Sequence, residues 1–431
     1  MCFGRGRHEG LGRSPEGVSG AGVRIAVLNW CGRRLAGAEA YITAVIPALR
    51  TAGHAVALAF EEDRPAGSQP IAPELPTALC VSELGPDRVI DELRQWQPDV
   101  LYVQGLQSPA LEARFLEIAP AALLTHGFYG TCISGAKSFK APVGRPCDRR
   151  FGWPCLLHYF PHRCGGLSPI TMLRDYRLQG RRLALVRRYN AILTPSRRME
   201  TEYLTHGIPR ERVHRVPLCV QEAGEAISPP VGSGVVRSDN RRHVVFLGRM
   251  TVLKGGHMLL RALPEIRSRL SQDLRVTFAG DGPTRPALEE EAARLRARHD
   301  ALEITFTGWL SPRDRDSLLD RSDLLGVPSV WPDPFPLVGI EAARRGVPAA
   351  AFAVGGIPDW LESGRNGFLA PADPPTSHAL AVAVANCLGN PETFARLRMG
   401  AVEMARRWSV AAHLAALEPI LASIARRTTA R

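Results

Sequence analysis

One pattern constrains this chain more than any other. Short β-rich runs, each closed by a loop with glycine, open helical stretches and then return to another β-rich run. Val23–Leu28 (VRIAVL) is followed by a helical pattern from Gly37 to Gly53, and His54–Phe60 (HAVALAF) by the spacing of a βαβ unit. A βαβ unit forces its two strands to run parallel. Pro98–Gln104, Ala121–Thr125, Asn190–Pro195 and Val213–Pro217 supply the further strands of this half. Val220–Arg242 is rich in Gly, Pro and Ser and lacks apolar periodicity, so it reads as a linker. Strands at His243–Gly248, Leu274–Gly280, Glu303–Thr307, Asp323–Pro328 and Pro348–Ala353 then alternate with helices at Gly255–Leu270, Thr284–Arg298, Pro312–Arg321 and Gly339–Arg345. The expected class is α/β, with two Rossmann-like doubly wound domains. Such sheets bind ligands at the carboxyl ends of their strands, so two of them face to face make a cleft.

Composition narrows the function. The 431 residues are 45% hydrophobic and 22% charged, which excludes wholesale disorder. The longest uninterrupted apolar runs, such as Val347–Val354, fall short of the roughly 20 residues needed to span a bilayer, which argues against an integral membrane protein. The formal charge of +12 suits nucleic acid, an anionic membrane or a phosphate-bearing substrate. The basic residues are dispersed rather than set in one stripe, and no nucleic-acid partner is expected. Lysine occurs only at 137, 140 and 254, so a lysine inside a motif is informative. Nine cysteines without a secretory signal point to a reducing, cytoplasmic setting. Residues 1–22 carry Arg and Gly without an apolar core and read as a disordered leader or a start-site artefact.

The loops between strands and helices carry the chemistry. Gly248-Arg249-Met250-Thr251-Val252-Leu253-Lys254-Gly255-Gly256 leaves a strand and enters a helix. A helix start offers free N–H groups, and Arg249 and Lys254 add two full positive charges at the same strand end, a setting for phosphate. In Ser329–Glu341 three prolines stiffen a strand-to-helix loop around Asp333, with Glu341 eight residues on. Carboxylates there accept hydrogen bonds from sugar or ribose hydroxyls, and the N–H groups of Leu337 and Val338 face a phosphate. Gly37 heads a phosphate-sized turn after the first strand, and His126 stands at the end of a strand. Gly355-Gly356, taken alone, reads as a plain turn. Asp314-Arg315-Asp316 reads as the acidic first turn of a helix capped by Ser311, not as a metal–nucleotide site.

Cys132, Cys147, Cys155 and Cys164 are separated by fourteen, seven and eight residues, which is not the paired C-x-x-C spacing of common zinc sites. Free thiols, a structural metal and disulfides all remain open for them, and none is assigned as a metal ligand. Phe151, Trp153, Leu156, Leu157, Tyr159 and Phe160 lie among these cysteines with Arg149, Arg150 and Arg163. Apolar anchors beside cations suit an anionic membrane surface, while the same residues could instead form a small core around the cysteines.

In order and spacing, FLGRMTVLKGG, VTFAGDGP, ITFTGWL and VPSVWPDPFPLVGIEAARRGVPAAAFAVGGIPDWLESGRNGFL, between His243 and Gly367, resemble the retaining GT-B glycosyltransferases of family 4. The amino-terminal half resembles them at AGAEAY, at GHAV and at His126, and in having a cysteine-bearing stretch after that histidine. The resemblance implies a GT-B fold with an amino-terminal acceptor domain at 23–220, bearing an insertion at 127–170. A linker at 221–242, a nucleotide-sugar-binding domain at 243–407 and a helix at 408–431 returning to the first domain complete it. It implies that Arg249 and Lys254 bind the donor diphosphate and Glu341 the ribose. Asp333 takes the place of an acid, usually Glu, that contacts sugar hydroxyls. Gly37 and Gly248 line the phosphates with Leu337 and Val338, and His126 lies beside the transferred sugar. The chain departs at Asp333, one methylene shorter, at Pro336 in place of glycine, and in a first loop with one glycine rather than two.

The implied reaction moves a sugar from a UDP- or GDP-sugar to a glycan or lipid-linked acceptor with retention, and requires no cofactor or metal. It suits polysaccharide or cell-envelope synthesis in the cytoplasm, peripheral to the inner face of the cytoplasmic membrane. The alternatives are a basic, metal-clipped nucleic-acid-binding protein and a GT-B sugar epimerase or phosphorylase.

Overall fold

The computed structural model describes residues 22–34, 37–63, 68–141, 144–220 and 241–429. The expected leader, apart from its last residue, and nearly all of the linker lie outside these residues.

The first sheet is built from β1 (Arg24–Cys31), β2 (Ala55–Glu62), β3 (Ala78–Cys80), β4 (Val100–Gly105), β5 (Ala121–Leu124), β8 (Ala191–Thr194) and β9 (Val213–Arg215). A two-residue hairpin, β6 (Ser138–Phe139) and β7 (Arg145–Pro146), lies apart from it in the insertion. The sheet order is β3-β2-β1-β4-β5-β8-β9, and the pairings are parallel. The second sheet comprises β10 (Arg241–Leu247), β11 (Asp273–Ala279), β12 (Leu302–Gly308), β13 (Leu324–Val327), β14 (Ala349–Phe352) and β15 (Gly367–Ala370), ordered β12-β11-β10-β13-β14-β15 and again parallel.

The strands are near-continuous apolar runs because helices cover both faces of each sheet. β1 buries Ile25, Ala26, Val27 and Leu28 in succession, where a half-exposed strand would alternate. The helix Gly37–Thr51 presents Tyr41, Ile42, Val45, Ile46 and Leu49 at helical spacing to that core. In the second domain Leu259, Leu260, Leu263 and Ile266 of the helix Gly256–Leu270 do the same.

In both sheets the strand order reverses direction beside the central strand, between β1 and β4 and between β10 and β13. That switch point opens a crevice at the carboxyl ends of the strands. The loops after β1, β10 and β13 therefore border the two crevices, and these loops hold Gly37, Lys254 and Asp333.

Strand bounds differ from the sequence reading by up to three residues, and four strands, β3, β6, β7 and β15, escape it. β6 and β7 have two residues each, while β3 and β15 are edge strands masked by Pro70, Pro73 and Pro76 before the one and Gly364 and Gly367 at the other. The 18-residue helix Pro169–Val186 also escaped, because Ile170 and Leu173 on its exposed side blur the apolar stripe. Among the described residues one stretch, 391–425, is long and apolar enough to cross a membrane by length and composition. A search for uninterrupted apolar runs overlooks it. The stretch consists of two helices, Pro391–Arg406 and Val410–Thr429, that bury Leu397, Met404, Leu417 and Leu421 in the protein core. The second of these crosses to the first domain and packs on the helix Gly37–Thr51 and on β4.

The crossing is sealed by a buried polar chain. His413 Nδ1–H donates to the Pro217 carbonyl at 2.7 Å, which leaves Nε2 to accept from the Tyr41 hydroxyl at 2.7 Å. Tyr41 in turn bonds Tyr102. Burial lowers the His413 pKa to about 4. Folded His413 thus stays neutral where an unfolded histidine, near 6.5, takes a proton, so the unfolded chain binds more protons between these values. The contribution of His413 is fully present above pH 6.5 and falls by about 3 kcal/mol as pH drops towards 4. Urea midpoints for wild type and His413→Gln should converge as the pH falls through this window; parallel curves would refute the assignment.

Candidate active site

The loops after β10, β11 and β13 are locked by backbone contacts that leave no room for side chains. A Cβ on Gly280 would lie 2.1 Å from the Gly248 carbonyl oxygen, and one on Gly282 2.4 Å from that of Met250. The Met250 amide donates to Asp281 O at 2.8 Å. Gly255, at φ +72°, starts the helix Gly256–Leu270 with its α-carbon pressed against the Pro328 carbonyl, 1.8 Å from where a Cβ would stand. Only glycine fits such a close approach at positive φ. The loop after β10 is thereby pinned to the loop after β13.

That pinning sets Lys254 beside Asp333. The Lys254 ammonium pairs with Asp333 Oδ2 and lies 5.2 Å from the centre of the Trp331 ring. Asp333 is 7% exposed, so its charge is met chiefly by this lysine. Arg249 is exposed, and among the described residues no carboxylate pairs with it. Two cations on one loop, one unpaired and one holding a carboxylate, form an anion-accepting strand end.

Glu341, on the helix Val338–Arg344, accepts from Arg315 Nη1 at 2.7 Å. Burial raises its pKa, opposed by Arg315. The sequence does not reveal Arg315 as a partner, because the two residues are 26 positions apart and Arg315 sits within a stretch that reads as an acidic helix start. That start behaves as a cap: Asp314 N donates to Ser311 Oγ at 3.2 Å, and Asp316 takes Arg345 at 2.8 Å. Leu337 and Val338 stand at the entry to the Glu341 helix, and their N–H groups bond to no acceptor among the described residues.

The first domain brings its own candidates to the same cleft. A Cβ on Gly37 would sit 3.8 Å from Leu337 Cδ1, so the first glycine turn and the Leu337–Val338 helix start face each other across van der Waals distance. His126 follows β5, half-buried, with Nε2 2.9 Å from Gln104 Oε1 and its ring 5.6 Å from that of Tyr41. Burial lowers its pKa to about 4, so it is neutral at physiological pH. Trp331 Nε1 donates to the Ala136 carbonyl of the insertion, and Ser196 Oγ to Pro334 O at 2.7 Å. Arg197 pairs with Asp359 at 2.9 Å.

Gly355-Gly356, which alone reads as a plain turn, belongs to this site. The Gly356 amide donates to the Asp333 carbonyl at 2.7 Å, and a Cβ on Gly355 would fall 2.4 Å from the same oxygen. The pair is the buttress of the Asp333 loop. No local signal in the sequence separates a buttress from a turn; the partner loop lies some twenty residues away.

Cys132, Cys147, Cys155 and Cys164 are carried as thiols, none in a disulfide. Cys147, Cys155 and Cys164 all have pKa values raised first by burial and then by neighbouring thiols, Cys164 to about 12. Among the described residues no group of three or more His, Cys, Asp or Glu side chains is arranged to hold a metal ion.

Residues 35–223 match the domain family Glycosyltransferase Family 4, and residues 241–390 match Glycosyl transferases group 1. The D-inositol 3-phosphate glycosyltransferase of Corynebacterium glutamicum is 35% identical over 182 residues, 41% of this chain and 42% of that protein. The alpha-D-kanosaminyltransferase of Streptomyces kanamyceticus is 29% identical over 212 residues, 48% and 53% of the two chains. Matched stretches thus span about half or less of these relatives. Anabaena Alr3699/HepE, solved in complex with UDP, superposes with a TM-score of 0.64 at 18% identity over 93% of this chain and all of that one. The lipopolysaccharide outer core galactosyltransferase WaaB superposes at 0.62 and 14% identity, over 93% and 99%. The fold is therefore GT-B, and each of its two sheets carries a glycosyltransferase domain of its own.

Proposed function

We propose that the chain is a retaining glycosyltransferase of family 4, moving a sugar from a nucleoside-diphosphate sugar to a glycan or lipid-linked acceptor. The observation that carries this reading is the Lys254–Asp333 pair at the donor strand ends, facing the cleft rim where Gly37 meets Leu337. A cation poised for diphosphate and a carboxylate poised for sugar hydroxyls are what such a donor needs at adjacent points. That Anabaena Alr3699/HepE, a protein of the same fold, was solved in complex with UDP supports a uridine donor.

In this reading the bond from the sugar anomeric carbon to the diphosphate breaks, and a bond to the acceptor oxygen forms on the same face. The departing phosphate oxygen takes the acceptor proton. Negative charge grows on the diphosphate, where Arg249, Lys254 and the amides of Leu337 and Val338 stabilise it. Asp333 orients sugar hydroxyls, Glu341 holds the ribose once Arg315 yields it, and neutral His126 lies against the transferred sugar. Because protein cations meet the diphosphate charge, turnover persists in EDTA. The enzyme works in the cytoplasm and serves polysaccharide or cell-envelope synthesis.

The test is to incubate the protein with UDP- and GDP-sugars and a panel of glycan acceptors. The expected result is acceptor-dependent nucleoside diphosphate release with EDTA present, and a product whose anomeric coupling in NMR matches the donor. Release without acceptor would indicate an epimerase or hydrolase, and an inverted product would remove the retaining assignment.

A further inference from the structure

The insertion after His126 separates its apolar residues into two sets. Phe139, Tyr159 and Cys164 form a small buried core, with Phe151, Leu156, Met172 and Tyr176 packed against it. The rings of Phe151, just before the short helix Pro154–His158, and Tyr176, on the long helix Pro169–Val186, stand 5.1 Å apart, and the two helices pack on each other. A second set points away from that core. Trp153 is 67% exposed, Leu157 63% and Phe160 38%; on the second helix and its approach, Leu167 and Ile170 are each 80% exposed and Leu173 42%. Six of the nine large exposed apolar side chains among the described residues lie in this one segment.

Spacing makes the two sets faces. Trp153, Leu157 and Phe160 follow one another at i, i+4 and i+7, and Ile170 and Leu173 at i and i+3. Between residues 144 and 187 nine arginines stand against two acids, Asp148 and Asp175. Asp148 is engaged by Arg198 and Asp175 by Arg174. Arg177 and Arg181 continue the exposed side of the second helix.

We propose that this face docks the protein on an anionic phospholipid bilayer. Exposed tryptophan and aliphatic side chains flanked by arginines match the acyl–headgroup boundary, where apolar groups sink and cations meet phosphate. A protein partner would call for acidic side chains opposite the arginines and a concave fit for Trp153; the charge excess and the exposed Trp153 and Leu157 fit a lipid boundary. The platform is rigidly joined to the rest of the molecule. Lys137, 1% exposed, pairs with Glu202, and the Phe151 amide donates to His206 Nε2 at 2.9 Å. The same insertion reaches the cleft through Ala136 and Trp331. Docking therefore holds the cleft at a fixed attitude to the bilayer. The inference concerns this surface alone and stands whether or not the transfer reaction proposed above is correct.

The experiment is co-sedimentation of the full chain with vesicles of phosphatidylcholine alone and of phosphatidylcholine with phosphatidylglycerol, at low and high salt. Two variants accompany it, Trp153→Ser with Leu157→Ser, and Arg177→Glu with Arg181→Glu, each checked for an unchanged melting midpoint. The expected result is binding to the phosphatidylglycerol vesicles at low salt, weakened about tenfold or more by high salt and by each folded double variant. No binding at low salt, equal binding to neutral vesicles, or unchanged binding of both folded variants would overturn the proposal.

Discussion

Lys254→Ala should lower turnover by about a hundredfold or more, the usual cost of removing one preorganised electrostatic contact to charge that develops in a transition state. The sequence alone argues that the fold ignores this change, since a lysine at a strand end is not core. The structure adds a second consequence. Asp333 is nearly buried and pairs with Lys254, so the alanine variant leaves a carboxylate without its cation. Removing one partner of a buried pair costs more than removing both. The melting midpoint should therefore drop in Lys254→Ala and recover in part in Lys254→Ala with Asp333→Asn, while turnover stays low in both. Lys254→Arg keeps the charge and should keep the midpoint nearer wild type. Folded Lys254→Ala with near-wild-type turnover would end the diphosphate role. A turnover loss that Asp333→Asn reverses would reduce Lys254 to a structural counter-ion.

The sheets were legible because their strands are buried on both faces and their loops carry glycine. VRIAVL and HAVALAF announce themselves without any partner. The edge strand β3 does not, since its three residues follow Pro70, Pro73 and Pro76, which read as loop. The site was legible as isolated loops, and the scarcity of lysine singled out Lys254. The pairing of those loops was not legible, because it arises from backbone contacts between distant glycines and carbonyls. The chain of residues does not say that Glu341 meets Arg315, or that Gly37 abuts Leu337. Nor does it reveal which aromatic residues of the insertion turn inwards: Tyr159 and Phe160 are neighbours, yet one is fully buried and the other exposed.

Gly355→Ala tests whether the Asp333 loop must stay where Gly355 and Gly356 hold it. Gly355 has φ +61°, a conformation that costs a residue with a side chain about 1–2 kcal/mol. The larger obstacle is steric. The added Cβ would lie 2.4 Å from Asp333 O, 2.5 Å from Asp333 N and 2.5 Å from the Pro332 carbonyl carbon. All three are backbone atoms, so no rotamer change relieves the contact and the loop itself must move. Shifting it loosens the Gly356 amide from Asp333 O and draws the Asp333 carboxylate away from Lys254. Misplacing a substrate-orienting group by about 1 Å costs on the order of a hundredfold in rate. Gly364 supplies the control: its φ is +80° and nothing lies within 4 Å of its added Cβ. Gly364→Ala therefore carries the backbone strain without the clash, and should lower the melting midpoint slightly with turnover intact. Gly355→Ala should lose turnover about a hundredfold while still folding. Equal turnover in the two variants would show that the loop tolerates displacement and that Asp333 does not need its buttress.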